Sequence, residues 1–159
     1  MPQLPIDPDI DEPERPPRPM SRWPRLAPGA LAAVFIGGVF GGLARYGIGL
    51  AAPPRAGGFP WDIFAINLVG AFALAVLLVL VLEFLAPTKY LRPALGTGFI
   101  GAFTTFSSFA VATDQLLAHG HPALAIVYTF SSVFGGLIAA LFGLVSARAI
   151  GAVPAVGRR

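Results

Sequence analysis

The 159-residue chain contains no cysteine. That absence excludes disulfides and thiolate metal ligands, and leaves the compartment open. Charge is scarce as well: Asp, Glu, Lys and Arg make up 12% of the residues, against 55% hydrophobic, and mean hydropathy is +0.73. Soluble domains carry about a quarter charged residues, so this composition indicates an integral membrane protein. No nucleotide-binding loop and no hydrolase triad occurs, and four membrane helices leave no room for a soluble catalytic domain; no enzyme is expected. Asp114, His119 and His121 have no second cluster with which to complete a metal site. The net charge of +3 and pI near 10.0 would suggest nucleic acid in a soluble protein. Here the charges fall in tails and loops, where membrane orientation explains them better.

What is present is long apolar sequence. A helix needs about 20 apolar residues to cross a bilayer, and four segments qualify: Leu31–Leu50, Ile63–Leu85, Leu95–Leu117 and Ala123–Ala147. The fold class is all-α, an integral membrane protein of four transmembrane helices. Residues 1–27 form a proline-rich tail expected to be disordered, residues 28–150 the four-helix transmembrane domain, and residues 151–159 a basic C-terminal tail. The basic end of the first tail has the look of a signal-peptide n-region. The next segment is long, glycine-rich and carries Arg45, so a retained first span is expected. Short loops predict that consecutive helices are antiparallel neighbours. Trp61, Tyr90 and Trp23 are placed as interfacial anchors. One protomer is too small to enclose much, so an oligomer is expected.

Lys and Arg divide unevenly between the two sides. One side takes Arg15, Arg18, Arg22, Arg25, Lys89, Arg92, Arg148, Arg158 and Arg159; the other takes Arg55, with Arg45 if the first span ends early. The bias places both termini in the cytoplasm.

The most informative stretch is Gly96–Asp114, GTGFIGAFTTFSSFAVATD. Glycines and hydroxyls gather where hydrocarbon offers the backbone no water, so irregular backbone there must face protein or a wet path. The third helix is therefore expected to be broken, with Thr104 or Thr105 capping a second half-helix. Such a start presents free N–H groups that favour an anion, and carbonyls released at the break suit a small cation. Phe106 and Phe109 follow on nearly one face, with ring edges that can meet a dehydrated anion; lipid or core contact is the ordinary alternative.

The other spans hold fewer polar residues. In the first, Gly38 and Gly42 form a smooth packing face, and Arg45 either snorkels to the interface or serves a wet anion vestibule. In the second, Asn67 lies inside the span with Gly70 beyond it; its amide is helix-helix glue or a donor to a solute. In the fourth, Tyr128, Ser132 and Gly136 stack on one face, as a hydroxyl track or as groups bonded to their own backbone.

Together these residues resemble the CrcB/Fluc family of fluoride channels. The resemblance covers residues 31 to 147 and rests on GGVFGGLARY from Gly37 to Tyr46, Asn67 with Gly70, and GAFTTFSSF from Gly101 to Phe109. It implies an antiparallel dimer of four-helix subunits with two fluoride pores. Asn67 would line the pore, Phe106 and Phe109 would be the paired phenylalanines, and Arg45 the vestibule arginine. Gly101 and Thr104 would mark the break whose backbone carbonyls hold a central sodium ion. Thr105, Ser108, Tyr128 and Ser132 would form the polar track. Gly42, Ala102 and Ser108 depart from the family's usual alanine, glycine and threonine, all small for small.

The implied function is passive fluoride export across the cell membrane, relieving toxicity. The Lys/Arg bias sits poorly with a subunit that inserts both ways, which favours a heterodimer with an oppositely oriented homologous subunit; the alternative is that the remote Arg15 and Arg18 count for little and the subunit still inserts both ways. Two rival classes stand beside this reading. A small multidrug-type proton-coupled exporter needs an embedded carboxylate, for which Glu83 and Asp114 are the candidates. A structural membrane subunit would explain the glycine faces alone.

Overall fold

The computed structural model describes residues 28–53, 57–84 and 89–151. The tails read as disordered and basic, the anchor Trp23, Arg55 and Leu85 lie outside the described residues. The described part is helical and contains no strand. Four helical spans, Pro28–Ala51, Trp61–Phe84, Arg92–Ala118 and Pro122–Gly151, are long and apolar enough to cross a membrane. Each starts or ends a few residues beyond the apolar core read from sequence.

We number the α-helices α1 (Pro28–Ala51), α2 (Trp61–Val79), α3 (Gly101–Phe103), α4 (Phe106–Ala118) and α5 (Pro122–Gly151). Two π-helical stretches complete the spans: Leu80–Phe84 continues α2, and Arg92–Ile100 leads into α3. Wide π turns are rare and mark sites of altered pairing. In the second stretch Pro93 lies where a helix start leaves N–H groups free, and Gly96 and Gly98 lower helix preference. The Gly101 N–H closes the stretch on the carbonyls of Gly96 and Gly98.

The spans alternate up and down. Gly29 abuts Tyr90, and Gly151 abuts the Phe84 ring, so the start of α1, both sides of the second loop and the end of α5 share one end. At the other end Gly57 faces the His121 ring. Gly57 and Gly120 there have φ of 69° and 79°, a conformation that glycine adopts without strain.

Consecutive helices are not all neighbours, contrary to the loop-length expectation. α2 packs mainly along α5, and α1 packs mainly along the π-helical stretch Arg92–Ile100 and α3, while α1 meets α2 only slightly. The loop between α1 and α2 is long enough to let the third span come between them. Close packing on α1 is also shifted by one residue. The buried glycines are Gly37 and Gly41, not Gly38 and Gly42. A Cβ at Gly37 would meet the Ala94 carbonyl and one at Gly41 the Phe99 carbonyl, whereas Gly42 has open space around it.

The third span changes partner halfway. Its first half lies on α1, and α4 lies on α5. Where they meet, Ala112 and Leu116 of α4 pack with Ala125 and Tyr128 of α5, and Phe59, Ile63, Phe64 and Phe109 close around them. Elsewhere large apolar side chains such as Phe35, Phe40, Leu137 and Phe142 stay exposed, as expected of helices that meet hydrocarbon or another subunit.

Candidate functional site at Thr104 and Thr105

Between Phe103 and Phe106 the backbone leaves helical geometry. Thr104 is extended at φ −75°, ψ 157°, and Thr105 at φ −151°, ψ 119°. Thr105 is buried, at 8% exposed. Its peptide groups would be costly without partners at this depth. Asn67 supplies both: its Oδ1 accepts from the Thr105 N–H at 2.9 Å, and its Nδ2 donates to the Thr105 carbonyl at 3.1 Å. An asparagine amide presents a donor and an acceptor side by side, as a peptide does. Gly70, one turn on from Asn67, lets the Thr104 methyl approach, where a Cβ would collide with it.

Thr105 is the N-cap of α4. Its Oγ1 accepts from the Ser108 N–H at 3.1 Å and donates to Ser108 Oγ at 3.0 Å, and it lies 3.2 Å from Ser107 Oγ. An N-cap contributes about 1 kcal/mol to a helix end. The Thr104 hydroxyl turns the other way and donates to the Ile100 carbonyl at 2.9 Å. That carbonyl also accepts the Thr104 N–H at 2.9 Å.

A recess of about 310 Å³ opens beside this turn, lined by Asn67, Thr104, Thr105, Phe106, Phe109, Ser132 and Val133. The structure thus brings together residues of α2, α4 and α5 that the sequence singled out separately. The Phe106 and Phe109 rings lie 5.7 Å apart at 40°, and Phe106 is 80% exposed. Phe109 also contacts the Tyr128 ring at 5.3 Å, while Phe59 meets Tyr128 edge-on at 5.3 Å. Tyr128 is fully buried beneath Phe109 and does not line the recess. Among the described residues, its OH and Ser132 Oγ are buried without a hydrogen-bond partner.

Two other sequence candidates stand apart. Arg45 is half-buried near the end of α1 and does not line the recess. Gly101 is exposed, and a Cβ there would sit 3.7 Å from the Gly96 carbonyl oxygen, an ordinary contact.

Sequence reading missed three features. Asp62, read as part of the first loop, sits in the first turn of α2 with Oδ1 buried and unpartnered among the described residues. Its signal was an acid just before an apolar run, which suits a helix start. Glu83, weighed in the sequence as an embedded carboxylate, accepts from Arg148 Nη2 at 2.7 Å and Nε at 2.9 Å and so ties the π-helical end of the second span to α5. No local pattern joins residues so far apart. The Asn67 clasp on Thr105 likewise spans two helices; only the polar residue at depth hinted at it.

The family described as CrcB-like protein, Camphor Resistance (CrcB), matches residues 32–144. "Fluoride-specific ion channel FluC 3" of Streptomyces avermitilis is 54% identical over 124 residues, 78% of this chain and 61% of that relative. The match therefore spans less than two thirds of that protein's length. "Fluoride-specific ion channel FluC 1" of Mycolicibacterium paratuberculosis is 45% identical over 109 residues, 69% of this chain and 83% of the relative. "Fluoride-specific ion channel FluC 2" of Streptomyces avermitilis is 42% identical over 113 residues, 71% of each chain. With its family pattern matched across most of its length, this chain belongs to the CrcB-like family.

Proposed function

We propose that the chain is a subunit of a fluoride-selective membrane channel, an ion channel rather than an enzyme, that lets fluoride leave the cell passively and so lowers its toxicity. The observation that carries this reading is the recess at the interruption, lined by unspent donors and phenyl rings in a chain whose relatives are named fluoride-specific channels.

Fluoride is small and holds water tightly, so a selective path must replace that water with donors and still release the ion. Asn67 spends one N–H on the Thr105 carbonyl and keeps its second. Thr105 donates to Ser108, which frees the Ser108 proton. Ser132, which lines the recess, carries a hydroxyl without a protein partner among the described residues, and Tyr128, buried beneath Phe109, would join the polar track only behind it. Phe106 and Phe109 offer ring edges and exclude water. Asn67 thus has two roles, holding the interrupted backbone in place and presenting one donor to the path.

The third span acts as a helix broken within the membrane, with α4 starting beside the anion path. Phe106 is too exposed for a finished site, which fits a second subunit covering it in an antiparallel dimer. The extended Thr104 releases carbonyls of the preceding turn, beside the exposed Gly101. These are hard oxygen donors that suit a structural sodium ion. Gly101 and Thr104 of one chain supply too few, so the ion would sit between two copies. Arg45 would stand in the vestibule of the assembled pore. Both termini lie in the cytoplasm, on the end that carries Lys89, Arg92 and Arg148. The partner is an oppositely inserted homologous subunit; Streptomyces avermitilis has relatives numbered 2 and 3.

The test is growth of a bacterium lacking its own fluoride exporter on fluoride medium. The chain, alone or with an oppositely oriented relative, should restore growth. Failure of both arms with protein present in the membrane would reject the reading.

A further inference from the structure

A second recess lies on the other side of the Thr105 cap. It has a volume of about 530 Å³. Its far wall is the loop before α2, at Gly57, Gly58 and Pro60, and its near wall is one face of α4. Ser108, Ala112, Gln115 and His119 line it at spacings of three and four, which puts them on one helical face. Ser107 and Ser108 close the inner end. From Ser108 to His119 the helix rises about 16 Å, reaching the end of the bundle opposite Pro28 and Gly151. One hydrogen bond separates the two recesses: Thr105 lines the first, Ser108 lines the second, and their hydroxyl oxygens are 3.0 Å apart.

We propose that this second recess is the entrance for the anion from that end of the bundle, with Gln115 and His119 forming its mouth. The proposal rests on the channel reading above. Three observations support it. First, the recess leads to a hydroxyl already placed beside the pore residues. Second, no carboxylate lines it, although Asp62 and Asp114 lie on the two helices that flank it. Third, the helix field is set for an anion that has passed the mouth. The start of α4 carries partial positive charge next to Ser107 and Ser108, and its last turn carries partial negative charge next to His119. An anion therefore meets its barrier at the mouth and gains on moving inward. The His119 ring is held at that barrier, because Nδ1 donates to the Gln115 carbonyl at 2.6 Å. A carbonyl only accepts, so Nε2 is the nitrogen left free of that bond. Charge at position 119 or 115 should then set the rate of entry.

The chain has no cysteine, so Gln115→Cys carries the sole thiol. The variant is reconstituted in liposomes and treated with an anionic sulfonate or a cationic trimethylammonium thiol reagent. Fluoride efflux should fall about fivefold or more with the anionic adduct and stay level or rise with the cationic one, because charge at a pore mouth steers ions. His119→Glu should likewise slow efflux and His119→Lys should speed it, both effects shrinking as salt rises. The His119 pair also serves if Gln115→Cys does not fold. Complete labelling with unchanged flux for both reagents, while wild type conducts fluoride, would overturn the entrance and leave the channel reading standing. Absence of fluoride flux from wild type, alone and paired, would overturn both.

Discussion

Asn67 is the residue on which the site turns. It satisfies the Thr105 peptide in both directions and keeps one N–H to spare. Asn67→Asp retains the acceptor, loses the donor, and adds a carboxylate beside the proposed anion path. Fluoride flux should fall to the leak rate in liposomes while the protein still elutes as a folded species. Near-wild-type flux would remove Asn67 from the path. Thr105 separates structure from conduction in a different way. Thr105→Ala loses the cap of α4 and should cost about 1 kcal/mol, whereas Thr105→Ser keeps the hydroxyl and should recover most of it. Thermal unfolding in detergent reads the difference. The residue types at this site were legible in the sequence, because asparagine, threonine and serine at mid-span demand an explanation. Their pairing was not. The Asn67–Thr105 bonds join residues 38 apart, and no periodicity reports a contact at that separation.

At the scale of elements, the third span does two jobs with two halves. Its first half lies on α1, with Gly98 against Val34 and Gly37, and α4 lies on α5. The extended Thr104 and Thr105 let the chain change partner without leaving the bundle. The four spans could be read from apolar length, but the order in which they touch could not. Short loops argue for sequential neighbours, and that argument fails where a half-helix intrudes between α1 and α2. The glycine face of α1 shows the same limit. Gly37 and Gly41, like Gly38 and Gly42, are four apart, so spacing alone cannot choose between the pairs. The structure chooses Gly41, where a Cβ would strike the backbone of Phe99. Gly41→Ala should destabilise the subunit by about 1–3 kcal/mol, since backbone cannot yield as a side chain does. Gly42→Ala meets open space and should leave the unfolding temperature of the subunit unchanged. Glu83 and Arg148 pair on an exposed surface at the end of the bundle where Phe84 meets Gly151. Glu83→Gln should leave fluoride flux at the wild-type level, because exposed pairs contribute little and this one lies far from the recess.

For the molecule as a whole, the exposed faces are as informative as the buried ones. Phe106 lines the recess yet is mostly exposed, so a single subunit leaves the proposed path open on one side. On the proposed reading the Lys/Arg bias would give each copy of this chain one orientation, and an antiparallel partner would then be a different chain. Single cysteines introduced near the two ends of the bundle should react with impermeant reagent from one side of the membrane only. Equal labelling from both sides would replace the heterodimer with a homodimer. Fluoride efflux from liposomes, with chloride as the control, decides whether the chain forms a fluoride channel, alone or with an oppositely oriented relative. Rapid fluoride efflux is expected in at least one of the two preparations, with chloride efflux no faster than the leak. Chloride passing as fast as fluoride, or no fluoride passing in either preparation of folded protein, would refute the channel.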